Sequence, residues 1–176
     1  NGAVHICSKV VSTDGDLHYS TNASGSWQST TLDTTGDVGH GCSIALDSSD
    51  NIHIVYLDKT LQDFKYTTKP LASAIAYSSW STTTIDGRNN VGTFGTMAID
   101  TQDRLHVAYY AETEDELRYA TKASGSSTWT NTTIDTSGDA GRFASIAVDS
   151  NDKPHIAYKE DWADDLEYAH KIGSSW

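Results

Sequence analysis

Residues 145–158 read SIAVDSNDKPHIAY, and two similar stretches occur earlier in the chain. Residues 43–56 read SIALDSSDNIHIVY and residues 96–109 read TMAIDTQDRLHVAY, with one histidine at the same place in each copy. A residue that recurs in every copy is most simply explained by a structural unit that is itself repeated. We therefore predict that this histidine is structural and hydrogen-bonds to the neighbouring strand or turn, for instance to Ser43 or Asp47.

The repeat extends over nearly the whole chain. Four histidines lie 48, 53 and 49 residues apart, namely His5, His53, His106 and His155. Four tryptophans lie 53, 49 and 47 residues apart, namely Trp27, Trp80, Trp129 and Trp176. Since independent markers share one register, the chain is an array with a unit of about 49 residues.

Each unit contains four short runs with the character of β-strands. In the second unit these runs are SIALD (43–47), IHIVY (52–56), FKYTT (64–68) and WSTTTID (80–86). They alternate or are rich in β-branched and aromatic residues, and clusters of Asp, Gly, Ser and Asn bound them. A repeat of four short antiparallel strands is typical of a β-propeller blade.

The stretch SIAVDSND followed by PHIAY resembles the inner strand, turn and second strand of bacterial Asp-box-like and NHL-like blades of the sialidase-superfamily type. The resemblance implies an all-β fold, a β-propeller of four-stranded antiparallel blades. We expect one propeller domain or propeller fragment over residues 1–176, with units at about 1–42, 43–95, 96–144 and 145–176. The first and last blades are expected to be incomplete, which gives three, four, four and three strands.

Composition narrows the classes of partner. The formal net charge is −12, and an acidic surface argues against a nucleic-acid partner, because phosphate binding needs clustered Lys and Arg. No apolar run approaches the roughly 18 residues that a membrane span needs. We expect an extracellular or cell-surface protein.

Neither the cysteines nor the aspartates predict a cofactor. The spacing of Cys7 and Cys42 matches no zinc or redox motif; a disulfide is one reading, and two small buried thiols are favoured. Asp47, Asp100 and Asp149 end the inner strands and are predicted to shape hairpin turns. A calcium site is the alternative role for these aspartates. However, Ca²⁺ takes about six to eight oxygen ligands, and each turn offers only two carboxylates.

Candidate ligand-binding residues come from positions that vary between units. Variation concentrates in the predicted loops from outer to inner strand and from second to third strand, which emerge on one face of a propeller. These loops also carry Thr93, Lys59 and Glu112. Aromatic, basic and acidic side chains together suit a polar ligand such as a sugar. The candidates are His40, Phe94, Tyr110, Arg142, Phe143, Lys159, Asp161 and Trp162.

The sequence favours a non-enzymatic binding or adhesion module with a glycan or protein ligand. The first alternative is a fragment of a sialidase-like glycoside hydrolase or a polysaccharide lyase. A sialidase is disfavoured because it needs an arginine cluster and only Arg88 and Arg142 lie in the predicted ligand-face loops, whereas a lyase using His40 or Tyr110 stays open. The second alternative is a structural subunit, with self-association or strand complementation at the incomplete blades.

Overall fold

The computed structural model describes residues 2–11, 15–75, 80–88, 90–173 and 175–176. These residues form fourteen β-strands in four antiparallel sheets and one short 3-10 helix, Leu71–Ser73. Within each sheet the strands follow chain order. The all-β prediction is confirmed, and the sheets contain three, four, four and three strands as expected.

Sheet 1 contains β1 (His5–Val10), β2 (Asp16–Thr21) and β3 (Gln28–Asp33). Sheet 2 contains β4 (Val38–Leu46), β5 (Asn51–Asp58), β6 (Asp63–Pro70) and β7 (Ser81–Asp86). Sheet 3 contains β8 (Val91–Ile99), β9 (Leu105–Ala111), β10 (Glu116–Lys122) and β11 (Thr130–Asp135). Sheet 4 contains β12 (Ala140–Val148), β13 (Pro154–Glu160) and β14 (Asp165–His170). The inner strands are β4, β8 and β12.

The core lies in three clusters, one between each pair of successive sheets. We call each contact between one sheet and the next a junction. At every junction the second residue of the inner strand is a glycine that lies on a buried residue of the preceding sheet. Gly141 has φ 114°, and a Cβ there would lie 2.8 Å from Cα of Leu117. Only glycine combines this conformation with so close an approach.

The repeated tryptophans also mark junctions. Three of the four pack their rings on a tyrosine of the preceding sheet: Trp80 on Tyr19, Trp129 on Tyr66 and Trp176 on Tyr119, with centroids 5.6, 5.3 and 4.7 Å apart. The rings meet at tilted or edge-on angles, the arrangement that aromatic pairs prefer. The tryptophan series therefore records the packing of one sheet on the next.

The structural role predicted for the repeated histidines is confirmed. The Tyr119 hydroxyl donates to Nδ1 of His106 (2.5 Å), and Nε2 donates to Asp100 (2.9 Å). His53 makes the same pair of contacts, with Tyr66 and with Asp47, the predicted partner. Ser43, the other partner suggested, instead accepts the backbone N–H of Met97.

The aspartates that end the inner strands shape turns, as predicted. Oδ1 of Asp100 accepts the backbone N–H groups of Gln102 and Arg104, and Asp47 and Asp149 make the equivalent bonds. A second turn aspartate reaches the preceding sheet, since Asp103 accepts from both N–H and Oγ of Ser48. Among the residues described, no three His, Cys, Asp or Glu side chains are grouped so that they could hold a metal ion.

Cys7 and Cys42 form a disulfide, so the favoured prediction of two buried thiols is wrong. Both residues are only half-buried, and their Cα atoms are 6.2 Å apart. Cys7 lies on β1 and Cys42 on β4, and these two strands pack on one another at the first junction. The bond therefore ties sheet 1 to sheet 2.

Within the described part of the chain, no helix is long and apolar enough to cross a membrane.

Candidate functional site

Five residues predicted to lie in outer-to-inner loops lie instead within the inner strands: His40, Thr93, Phe94, Arg142 and Phe143. Strand pairing there is irregular, with register shifts between His40 and Ser43 and at the equivalent places in β8 and β12. Phe94 and Phe143 have φ of 55° and 53°. A bulge re-aims side chains at the end of a strand, and Phe143 is 65% exposed as a result.

A cleft of about 310 Å³ lies between sheets 2 and 3. Sheet 2 contributes His40 and Lys59, and sheet 3 contributes Thr93, Phe94 and Glu112. Gly41, Leu57 and Gly92 complete the lining. The structure thus brings two predicted candidates, His40 and Phe94, into one concave site with polar and apolar walls.

Ion pairs and hydrogen bonds orient the polar groups of the cleft. Nε2 of His40 lies 2.8 Å from Oδ1 of Asp37, which also pairs with Lys9 at 2.6 Å. Hydrogen bonds from Lys9 and His40 hold the pKa of Asp37 below its usual value. Glu112 accepts from the Thr93 hydroxyl at 2.7 Å. Lys59 is exposed and makes no ion pair with any described residue.

The phenylalanines of successive sheets stack beside the cleft. The ring centroids of Phe94 and Phe143 are 4.3 Å apart with a 44° tilt, and Phe94 lies 6.5 Å from the Tyr110 ring. Phe94 therefore contacts both the cleft and the next junction, where sheet 4 begins.

Tyr110 and Arg142 belong to a closed network below this aromatic pair. Tyr110 has no exposed surface, and its hydroxyl oxygen lies 2.5 Å from Oδ1 of Asp139 and 2.8 Å from Oδ1 of Asp115, which share its single proton. The Arg142 guanidinium lies 4.9 Å from the Tyr110 ring centre and pairs with Asp139 and Asp161. Burial raises the pKa of Tyr110, and its carboxylate partners add to the effect. The buried phenol of Tyr110 therefore packs beneath Phe94 and Arg142 and is not accessible to a ligand.

Lys159, Asp161 and Trp162 lie on the far side of sheet 3 from the cleft, at the end of β13. Lys159 pairs with Asp161 and with Asp164, both at 2.6 Å. Trp162 is 79% exposed, and its backbone N–H donates to Glu160. The structure therefore separates these three candidates from the cleft that holds His40 and Phe94.

Sequence reasoning missed the residues that orient the site. Asp37, Asn90 and Asp139 stand at one place in every unit, just before the inner strand. Each contacts a residue that varies between units: Asp37 pairs with His40, Asn90 donates to Glu112, and Asp139 pairs with Arg142. The signal for Asp37 and Asp139 was their fixed offset of three residues from His40 and Arg142, whereas Asn90 and Glu112 lie 22 residues apart and meet only in the structure.

A larger depression, about 540 Å³, lies elsewhere and contains none of the candidate residues. Its lining includes Thr21, Ser49, Pro70, Leu71 and Ile75, from sheets 1 and 2 and the segment after β6. The smaller cleft is the better candidate because several convergent polar groups and an aromatic ring line it.

No family model matches the chain, and no curated protein matches it. Solved structures are similar to it. An ulvan lyase, described as a polysaccharide lyase of a new family, has a TM-score of 0.59 and 14% identity, covering 90% of this chain and 43% of that one. An α-L-arabinofuranosidase from Podospora anserina has a TM-score of 0.57 and 14% identity, covering 99% and 61%. An endo-arabinase from Bacteroides thetaiotaomicron has a TM-score of 0.59 and 12% identity, covering 100% and 74%.

At these identities the likeness shows the fold alone. The chain spans less than half of the length of the ulvan lyase. The four antiparallel sheets of three or four strands match the sheets of these propeller-like structures, so the fold class predicted from the repeat is confirmed.

Proposed function

We propose that this chain is an extracellular carbohydrate-binding module and that it binds a sugar in the cleft between sheets 2 and 3. The observation that carries the proposal is the cleft itself, where an aromatic ring and convergent polar groups line one concavity of about 310 Å³. Such a combination is typical of small-molecule sites. The solved structures that resemble the chain include enzymes whose names describe action on polysaccharides, which supports the choice of ligand class.

The lining suits the two faces of a sugar ring. Phe94 and Leu57 offer apolar surface to the C–H groups of a pyranose or furanose. Glu112 accepts hydrogen bonds, Lys59 donates them, and the Thr93 hydroxyl does both. Glu112 is already oriented by Thr93 and Asn90, so little side-chain order has to be created on binding.

Charge favours an uncharged glycan over a polyanionic one. The formal net charge is −12, and a strongly acidic protein repels a chain of sulfates or carboxylates at low salt. Arg142 and Lys159 are each paired with two carboxylates. The one unpaired cation in the cleft is opposed by Glu112 on the other wall.

The test is a glycan array followed by titration calorimetry with the best neutral oligosaccharide. Phe94→Ala is expected to weaken binding about tenfold, since loss of one aromatic contact is worth about 1–1.5 kcal/mol. Trp162→Ala is the matched control, an exposed aromatic outside the cleft, and is expected to leave affinity unchanged. If Trp162→Ala weakens binding and Phe94→Ala does not, the binding site lies at the turn after β13. A preference for sulfated glycans would contradict the charge argument.

A catalytic role is the second candidate, favoured by the His40–Asp37 pair. A carboxylate beside a histidine fixes the tautomer and orientation of its ring, and a positioned histidine is a common general base. An activity assay distinguishes a binding module from an enzyme. The chain is incubated with the polysaccharides it binds, and new unsaturated or reducing ends are measured. Turnover that His40→Gln abolishes while binding persists would replace the binding-module proposal by the enzyme.

A further inference from the structure

Each junction also holds a depression at the opposite end of the strands from the cleft. It is lined by the turn between an inner and a second strand and by the ends of third strands. The depressions at the first, second and third junctions measure about 540, 440 and 400 Å³. Their linings share two series of residues: Thr21, Thr68 and Thr121 on third strands, and Asp50, Asp103 and Asp152 in turns. The depression is therefore repeated with the unit, and the differences between its copies are the candidates for function.

The charged residues of the lining differ from one junction to the next. Among the described residues, the first depression holds one carboxylate and no cation, and the second holds two carboxylates and two lysines. The third holds one carboxylate, Asp152, and three cations, Arg104, Lys153 and Lys171. An excess of positive charge in one concavity is unexpected in a chain of formal net charge −12. We call the third depression the cationic pocket.

The cations of this pocket are not neutralised by carboxylates. Lys153 and Lys171 make no ion pair with any described residue. Arg104 pairs with Asp100 through Nε at 2.5 Å, and its two terminal nitrogens bond to no described residue. Asp152, in contrast, already accepts hydrogen bonds from two residues of the preceding turn. The pocket thus offers charged donors that lack an acceptor.

The fold fixes where these cations lie. The aspartates that end the inner strands accept the backbone N–H groups of Arg104 and Lys153. Nζ of Lys171 lies 5.6 Å from the ring centre of Tyr119, within the range of a cation–π contact. Lys122 makes the same contact with the equivalent tyrosine at the second junction, at 5.3 Å. Because the unit itself places these groups, little order has to be created when a ligand binds.

The field of these cations reaches the wall of the pocket. Burial lowers the pKa of His106, which lies in that wall, and Asp100 opposes this effect. Arg104 and Lys171 lower the pKa further, because nearby positive charges disfavour protonation. Repulsion of an anion by the net charge of the chain is screened over about 8–10 Å at physiological salt, so the nearby cations dominate inside the pocket.

Hydroxyl groups line another part of the pocket. Ser126, Thr128 and Thr130 lie between β10 and β11 or at the start of β11. Oγ of Ser126 lies 3.1 Å from Oγ1 of Thr128. Hydroxyls both donate and accept, so they can pair with the hydroxyls of a sugar or another polyol. At about 400 Å³, the pocket has the size of a small-molecule site.

We propose that the cationic pocket is a second binding site, which takes a sugar-sized ligand that bears one oxyanion group: a sulfate, a phosphate or a carboxylate. Lys153 and Lys171 on sheet 4 and Arg104 on sheet 3 pair with the oxyanion through charge-assisted hydrogen bonds. The serine and threonine hydroxyls bond to the hydroxyls of the ligand. The site is separate from the cleft between sheets 2 and 3, since the two share no lining residue.

The experiment is a heteronuclear NMR titration of the whole chain at low salt. The probes are glucuronate, a glucose sulfate, a glucose phosphate and glucose itself as the neutral reference. Saturable one-to-one binding of at least one charged sugar is expected, with shifts at Lys153 and Thr128, and the tightest of the three identifies the oxyanion. Glucose that binds as tightly as the charged sugars, or no saturable binding of any charged sugar, would overturn the proposal.

Variants of the whole chain locate the site. Lys153→Gln and Lys171→Gln are each expected to weaken binding of the tightest charged sugar about fivefold or more, since each removes a charge-assisted hydrogen bond. Lys122→Gln is the matched control, because Lys122 stands at the equivalent place in the second depression, and it should leave the affinity unchanged. Equal losses in Lys122→Gln and Lys171→Gln would show general attraction of charge and would overturn the choice of pocket.

Phe94→Ala separates this site from the proposed glycan cleft. The variant should lose affinity for the neutral oligosaccharide and keep its affinity for the charged sugar, because Phe94 lines the cleft and not the cationic pocket. Loss of both affinities would place the charged sugar in the cleft and would overturn the second site.

Discussion

In sheets 2 and 3 the repeated histidine joins three strands through two hydrogen bonds. In sheet 3, His106 on β9 accepts from Tyr119 on β10 and donates to Asp100 at the end of β8. Burial lowers the pKa of His106, although Asp100 acts in the opposite direction. The neutral ring is the form that can accept from one partner and donate to the other.

Protonation of these rings should destabilise the fold on the acid side. Burial lowers the folded-state pKa of His53 and His106 below 6.5. The unfolded chain therefore binds more protons as the pH falls through 6.5, and stability is lost there. Burial opposes ionisation of Asp100, but hydrogen bonds from His106 and Arg104 outweigh it and lower its pKa from 3.8 to about 2, so a further loss follows between these values.

Urea unfolding at pH 7.5, 5.5 and 3 checks this prediction. The midpoint is expected to fall at each step, and His106→Gln is expected to lessen the first fall, since a glutamine does not titrate. His155→Gln is the control, because the His155 side chain is 32% exposed whereas that of His106 is 5% exposed. A midpoint that stays constant from pH 7.5 to 5.5 would contradict the assignment of buried neutral histidines.

At the scale of the elements, each inner strand depends on a glycine that has no room for a side chain. Gly141→Ala is expected to lower the free energy of unfolding by about 3 kcal/mol, from backbone strain at positive φ and from contact with Leu117. Gly125→Ala is the matched control, because its φ is 71° with no atom within 4 Å of a Cβ, and strain alone should cost about 1 kcal/mol. Chemical denaturation measures both, and equal losses would show that strain outweighs packing.

Strand content and turn chemistry could be predicted from the sequence because they repeat. The starts of the inner strands were not predicted correctly. In sheet 2 the strand-like sequence pattern begins at Ser43, whereas β4 begins at Val38. The residues between them include Gly39 and Gly41, which carry no strand signal. The irregular pairing there depends on the neighbouring sheet, and only the structure places His40 in a strand.

The sequence also did not predict which of the candidate ligand-binding side chains are buried. Tyr110 follows Tyr109 in a strand that is buried on both faces, because sheets pack on either side of it. Alternate side chains of a strand point to opposite faces, and one of these faces is exposed only when that side of the sheet meets solvent. Neither face of β9 meets solvent. A tyrosine predicted to meet a ligand is therefore part of the core.

At the scale of the whole molecule, the Cys7–Cys42 disulfide closes a loop with a sequence separation of 35 residues. Reduction is expected to lower the free energy of unfolding by about 3–4 kcal/mol, mainly by restoring entropy to the unfolded chain. Denaturant unfolding with and without dithiothreitol measures the change, and the Cys7→Ser, Cys42→Ser double variant should match the reduced protein. If the midpoint is the same in both conditions, the two cysteines do not stabilise the first junction.

The array of three, four, four and three strands could be read from the spacing of histidines and tryptophans. The cleft could not, because His40 and Phe94 come from different sheets and meet only where those sheets pack. The separation of Trp162 from that cleft has the same origin. Variation between units indicated which positions to inspect, and the junctions decided which of them share a site.

The second and third junctions are held near both ends of the inner strand, by a glycine contact at one end and by a turn aspartate at the other. Asp103 and Asp152 reach the preceding sheet through one short side chain, which sets the gap at their end. Two fixed gaps along one strand set the tilt between successive sheets. A glutamate in place of either aspartate would lengthen that contact by one methylene group and so change the tilt between the two sheets. The length of this one side chain thus helps to set the angle at which successive units of the array meet.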